Sequence, residues 1–301
     1  MSTTPLPIDL SQVPPPDVLE EIDLGELVRQ AWARAVADQP VLAGLAESDP
    51  ARKWLRTVAI REGLCRARVN DGARACMLAS ATGADLDNLA ALFGVAREVV
   101  TPGDPDATPP VEPVMETDER LRRRAQLFPG SISTAGPESA YRFHALGASP
   151  LVKDVAVSSP SPGRVNVAVL AEIVDPASDT GAASDELLAV VKAALNQETV
   201  RPMGDVLGVI SARIVDYEID AKIKVGSGPD AALALDAATA AVTAAASGLH
   251  ALGRGAPRSA LIAALHVPGV LSATLAKPTN DVAATSAQAA RASTVKVAIA
   301  A

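Results

Sequence analysis

The sequence predicts an α+β protein: a helical N-terminal bundle region followed by two small α+β units, multi-domain and elongated. Three observations predict it. Apolar residues recur at three- and four-residue steps through most of the first hundred positions, the period of one helix face. From Leu151 the period changes to two, as in half-buried strands. Between these regimes, residues 98–115 hold prolines, acids and Gly103 at a density that marks a linker. At 301 residues there is room for two or three domains. The expected boundaries are an extended arm over 1–16, a helical bundle region over 17–97, a Pro/acidic linker over 98–115, helices with the first α+β unit over 116–225, and the second α+β unit with the C-terminal tail over 226–301.

Residues 1–16 contain five prolines and no helical period, so they read as an extended arm, either free or laid on a neighbouring subunit. A helix is expected from Asp17, as N-cap, through Ile22, Leu27, Val28 and Trp32 to Ala37. A longer one runs from Pro50, placed after the cap Asp49, to Ala81. Leu55, Val58, Cys65, Val69, Ala73 and Cys76 form its apolar stripe, and Arg52, Arg56, Arg61, Arg66, Arg68 and Arg74 fill much of the rest. Gly63 and Gly72 would each weaken an isolated helix by up to ~1 kcal/mol relative to Ala, and make sense where another helix packs closely. Val58, Arg61, Cys65, Arg68, Val69 and Ala73 are therefore the candidate interface residues; the competing reading is a helix buried in its own chain's core. Gly83 ends this helix, and Asp85 starts a short one through Leu86, Leu89, Leu92 and Phe93 to Gly94.

Residues 116–128 form a charged helix, with Glu116, Asp118 and Glu119 early and Arg120, Arg122, Arg123 and Arg124 late, at i,i+4 spacing. It reads as a self-paired solvated face or as an arginine patch for an acidic partner. Gly136-Pro137 opens a helix with Tyr141, Phe143 and Leu146. Val152, Val155 and Val157 pair with Val165, Val167 and Val169 in a hairpin turned by residues 158–163. Ser184 caps a helix through Leu187, Leu188, Val191 and Leu195. Strand pattern runs from Val206 to Val215 and on through Tyr217, Ile219, Ile223 and Val225. An Ala-rich helix from Pro229 to Leu249, a shorter one from Pro257 to Leu265, a strand around 270–275 and a final strand over 295–299 complete the second unit.

Composition narrows the function classes. Aromatic residues are 2% of the chain and hydrophobic residues 49%, so small aliphatics fill the core and few rings are on hand to stack a base or sugar. The formal net charge of −8 gives a polyanion no long-range attraction, and the arginine-rich helices lack interleaved aromatics, so no nucleic-acid partner is expected. Cys65 and Cys76 would lie ~16 Å apart along one helix, too far for a disulfide, and read as buried free thiols of a reducing compartment. The N-terminus has no signal-peptide pattern, and the apolar run from Ala231 to Ala246 is broken by Asp236, so no membrane partner is expected.

The search for chemistry yields no catalytic, cofactor-binding or metal-binding candidates. Gly253-Arg254-Gly255 lacks the third glycine of a dinucleotide loop. His144, His250 and His266 lie apart, each in a helix pattern, and His250 near a helix end suits the dipole. Carboxylate pairs such as Glu20–Glu21 and Asp85–Asp87 occur without the aromatics that line a sugar groove.

Several segments resemble the baseplate assembly protein J family of contractile-tailed phages. They are Ile8-Asp9-Leu10 with Pro14 to Glu21, Arg66 to Asn70 with Ala73-Arg74-Ala75, Gly83 to Asp87, Glu116-Thr117-Asp118 with Arg120-Leu121-Arg122, Ala135-Gly136 with Ala140-Tyr141, Val155 to Pro162, Leu187 to Val191, Val200-Arg201-Pro202, Leu252-Gly253-Arg254 and Ala263 to Val270. They span the chain in order; the Ala-rich 277–301 tail is where the likeness stops. The resemblance implies a non-enzymatic virion component of the tail baseplate, assembled in the host cytoplasm. Its implied partners are a second copy of itself, a baseplate protein I-like wedge partner, and neighbouring wedges with hub and sheath proteins, closing a sixfold ring. The alternatives are the equivalent part of a bacteriocin-type contractile injection device and, in the enzyme class, a tail-associated cell-wall hydrolase.

Overall fold

A computed structural model of the chain describes residues 8–133, 135–174, 179–226 and 231–300. The first seven residues of the expected arm and the expected helix start at Pro229 lie outside them. The fold class is α+β, as expected. The chain divides into two units, Met1–Arg97 with Thr117–Gln126 and Glu98–Glu116 with Leu127–Ala301.

In the first unit, α1 (Leu24–Asp38) begins after Asp23, whose carboxylate accepts from the N–H groups of Gly25 and Glu26. Asp17 is not the cap. Glu20 is held laterally instead: its N–H donates to Asn70 Oδ1 at 3.1 Å and its carbonyl accepts from Asn70 Nδ2 at 2.8 Å. A backbone satisfied from the side has no need of helical bonds. α2 (Pro50–Ala75) starts as expected, with Asp49 accepting from the Ala51 N–H, but stops well short of Ala81. Ser80 Oγ donates to the Arg74 carbonyl at 2.8 Å, and the Arg122 guanidinium donates to the carbonyls of Leu78 and Ala81 at 2.7 and 2.6 Å. α3 (Gly83–Ala91) follows; Gly83 and the later Gly94 both sit at positive φ, where a β-carbon would be strained.

The segment 98–115, expected as a linker, carries β1 (Val99–Thr101) and β2 (Val114–Met115), paired antiparallel. α4 (Asp118–Ser131) is the charged helix, and its first-unit residues correct the solvated reading. Leu121, Ala125 and Arg124 are buried, and Arg124 Nη1 donates to the Ala96 carbonyl at 3.1 Å. Arg97 bridges Asp87 and Asp118, each at 2.7 Å. The Arg97 hydrogen bond, followed by the Gly83 N–H, holds the Asp118 carboxyl below the usual carboxylate range. These charges are spent on neighbouring segments of the same unit.

In the second unit, α5 (Glu138–Leu146), the hairpin β3 (Val152–Ser161) and β4 (Arg164–Ala171), α6 (Asp185–Leu195) and β5 (Val206–Ser211) form a sheet of order β3-β4-β5 with both helices packed on it. β3 and β4 are antiparallel, while β5 runs parallel to β4 after the α6 crossover. Tyr141, Leu146, Val155, Val169, Val191 and Leu195 fill this core, joined by Leu127. The long strand expected from Val206 through Val225 is two strands in two sheets. The chain leaves the first sheet at buried Ala212 and enters β6 (Arg213–Val225). α7 (Ala231–Leu249) and α8 (Arg258–Leu265) then cover a sheet of order β7-β6-β8, formed with β7 (Val270–Lys277) and β8 (Gln288–Ile299). β8 pairs with β6 in parallel from Gln288 onward, so it is far longer than the expected 295–299. Its Ala- and Arg-bearing first half has little strand propensity, and the ladder supplies what propensity does not. α7 is long and apolar enough to cross a membrane by length and composition, yet Ala238, Val242 and Ala246 bury one of its faces in the core of the second sheet.

His250 does not serve as a solvent-facing dipole partner. It is buried, with Nδ1 3.0 Å from the Ala290 carbonyl, so the ring donates from Nδ1. Burial first, and Lys153 and Arg291 after it, hold its pKa below the ordinary value, against the opposing pull of the Ala290 carbonyl and Glu172. His144 is lowered by burial alone.

Two outcomes follow from this packing. Asn70→Ala strips both lateral bonds from Glu20 and is expected to destabilise the chain by about 2 kcal/mol, read as a lower chemical-denaturation midpoint. Because the folded-state pKa of both histidines lies below the ordinary 6.5, the unfolded chain takes up protons first as pH falls. Their contribution is therefore present above the ordinary value and lost as pH falls through the folded-state values. Thermal unfolding should occur at lower temperature at about pH 5.5 than at about pH 7.5. His250→Gln and His144→Gln together should flatten that slope; a double variant whose pH profile parallels that of the parent chain would refute the assignment.

Candidate functional site

The candidate interface lies on α2, and its geometry follows from which face the helix buries. A helix 26 residues long presents two opposite stripes, and α1 covers one of them. The buried residues of α2 are Ala59, Gly63 and Asn70. At Gly63 an added β-carbon would come within 2.5 Å of Leu24 Cδ2 and 3.4 Å of Leu27 Cδ1. Small side chains thus set the α1–α2 separation, Asn70 closes the seam onto Glu20, and the Arg52 guanidinium lies 4.1 Å from the Trp32 ring centroid as a cation–π contact. Arg66 fastens the seam's edge, bonded to Glu62 and to Glu20 at 2.7 and 3.0 Å. Those two bonds, Glu62 first, raise its pKa above the usual guanidinium value.

The other stripe is bare. Trp54 is 73% exposed, Val58 57%, Leu64 65% and Val69 60%. Positions 54, 58, 61, 65, 68 and 72 advance by alternating steps of four and three, the spacing of a coiled-coil seam. Of the sequence-derived candidates, Val58, Arg61, Cys65, Arg68 and Val69 are exposed together on this side, while Ala73 is half-buried at its edge. Cys65 and Cys76 are both exposed, which corrects the expectation of buried thiols: the helix buries its smallest residues and turns the thiols outward. Gly72 has open space around its α-carbon, so this end of the stripe admits a close neighbour. Sequence reasoning passed over Trp54 and Leu64 on the outside and Ala59 and Asn70 on the inside. The four–three spacing starting at Trp54 was the available signal for the first.

Two parts of the chain match family descriptions. Residues 47–104, which contain all of α2, match the baseplate J-like N-terminal domain, and residues 133–211 match the baseplate J-like central domain. The second match ends at Ser211, where the chain leaves the first three-stranded sheet. Over 289 residues the chain is 41% identical to a protein described as "Baseplate protein J" of Escherichia phage P2, an alignment that covers 94% of each. The chain belongs to the baseplate J-like family. In this baseplate J-like protein the N-terminal-domain match carries the bare stripe, and the central-domain match covers α5, the hairpin, α6 and β5.

Since the outer stripe takes no part in the α1–α2 seam, charging it should leave the fold intact. Val69→Asp is expected to shift unfolding free energy by no more than about 0.5 kcal/mol, measured by denaturant titration of the purified chain; a larger loss would place Val69 in the chain's own core.

Proposed function

We propose that the protein is a structural component of a contractile phage tail baseplate, acting through protein–protein contacts and without turnover. Membership of the baseplate J-like family over nearly the whole chain, with 41% identity to the phage P2 protein, is the observation that carries this reading. In it, two copies of the chain join one copy of a baseplate protein I-like partner in each wedge. Neighbouring wedges then close a sixfold ring around the hub, beside the sheath, after assembly in the host cytoplasm.

The bare stripe of α2 supports a helix-mediated join. The four most exposed large apolar side chains of this helix, Trp54, Val58, Leu64 and Val69, stand to gain roughly 1.5–3 kcal/mol each on full burial, and the chain gains nothing from displaying them unless a partner covers them. Val58, Arg61, Cys65, Arg68 and Val69 form the join, with Ala73 at its margin.

Co-expression with the product of the adjacent baseplate gene, followed by native mass measurement, tests the reading. A stable complex with two copies of this chain per partner is expected, and Val69→Asp should weaken it by at least about thirtyfold, the equivalent of roughly 2 kcal/mol. A monomer that ignores the partner would overturn the proposal.

A further inference from the structure

α2 carries seven Lys and Arg residues and two acids, in a chain whose formal net charge is −8. The two acids are already engaged. Glu62 is bonded to Arg66 at 2.7 Å, and Asp71 lies 3.5 Å from Arg74. Arg61 and Arg68 are different. They stand seven residues apart in the middle of the bare stripe, about 10.5 Å along the helix axis. Among the described residues neither makes an ion pair or a side-chain hydrogen bond. The outer stripe through positions 54, 58, 61, 65, 68 and 72 holds no carboxylate of its own.

An arginine enters a helix–helix seam at a net cost unless a carboxylate meets it there. The same stripe of a second copy cannot supply one. A parallel pair would set Arg61 against Arg61 and Arg68 against Arg68. An antiparallel pair centred on position 63 would set Arg61 against Cys65 and Arg68 against Val58. We infer that the stripe is occupied by a helix of a different chain, with an apolar seam and with Glu or Asp residues one heptad apart that meet Arg61 and Arg68. This rests on the docking reading above and names the chemistry of the docked helix. In neither of these registers does the stripe of a second copy offer Arg61 or Arg68 a carboxylate, which disfavours stripe-to-stripe pairing of two copies.

The test uses the full chain and two synthetic helical peptides of about four heptads. They share a leucine seam and differ only in carrying Glu or Lys at the flanking positions. Binding is followed by fluorescence anisotropy. The Glu peptide is expected to bind at least tenfold more tightly than the Lys peptide, and to lose at least tenfold on raising salt from about 0.1 M to about 1 M. Arg61→Glu/Arg68→Glu should invert the preference while its melting curve stays that of the parent, since both arginines are exposed and unpaired. Equal binding of the two peptides, or no binding of the Glu peptide, overturns the inference. Val69→Asp separates it from the docking reading. If that variant abolishes peptide binding while the charge reversal changes nothing, the apolar docking stands and the acidic assignment falls. If neither variant changes binding, the docking reading falls too. Cys65 gives an independent check. In a Cys76→Ser chain, mild oxidation is expected to leave Cys65 uncoupled, and a high yield of Cys65–Cys65 dimer would show the stripe pairing with itself and refute the inference.

Discussion

Two helices can approach only as closely as their facing side chains permit, and along the α1–α2 seam those side chains are Ala59 and Gly63, with Leu24 and Leu27 opposite them. That one contact decides the character of the N-terminal region. A seam of small residues buries little apolar area per turn, so it needs directional bonds, and Asn70 and Arg66 supply them by holding Glu20. Once α1 occupies the small-residue side, rotation of the helix is fixed, and the larger apolar side chains Trp54, Val58, Leu64 and Val69 have nowhere to turn but outward.

Elsewhere in the chain, apolar burial follows ordinary layer logic. Each three-stranded sheet is covered by two helices; the first core is built from Val, Leu, Ala and Tyr141, and the second from Ala, Leu, Ile, Val and Tyr217. The outward face of β6 alternates Glu218, Asp220, Lys222 and Lys224, as a one-sided sheet requires. The switch between sheets at Ala212 is tied by a small cluster of Leu170, Ala212 and Ala289. Asp154, buried in β3, accepts from the Leu252 N–H at 3.0 Å and so reaches from the first sheet to the loop before α8. A buried carboxylate in such a place adds little net stability, but it specifies one arrangement.

Both faces of α2 lie within the residues that match the baseplate J-like N-terminal domain. A chain that belongs to the baseplate J-like family presents, within the residues matching its N-terminal domain, a helix with an inner face satisfied by its own unit and an outer face that is apolar, basic and bare. A helix solvated for its own sake would carry its bulk inward; α2 turns Trp54, Val58, Leu64 and Val69 outward instead, and that is the ground on which the join is proposed there.

By itself the sequence determined the class of the protein, the caps at Asp49 and Ser184, and the hairpin of β3 and β4. Asp49-Pro50 and Ser184 are local signals with local partners, and alternating valines over 152–169 permit one pairing only, because a one-residue slip would turn the buried face to water. The bare stripe was half legible: Val58, Cys65 and Val69 follow from periodicity, but periodicity does not say which of two possible stripes the chain covers itself. Tertiary structure decided that, through the close approach at Gly63. It decided likewise that the strand pattern over 206–225 divides at Ala212 between two sheets, since alternation is the same within one sheet or two. It turned the charged helix at 118–131 inward at Leu121 and Ala125, where Arg122 and Arg124 donate to carbonyls of distant segments. Partners far apart in sequence leave no local pattern, and for that reason only the folded chain could disclose them.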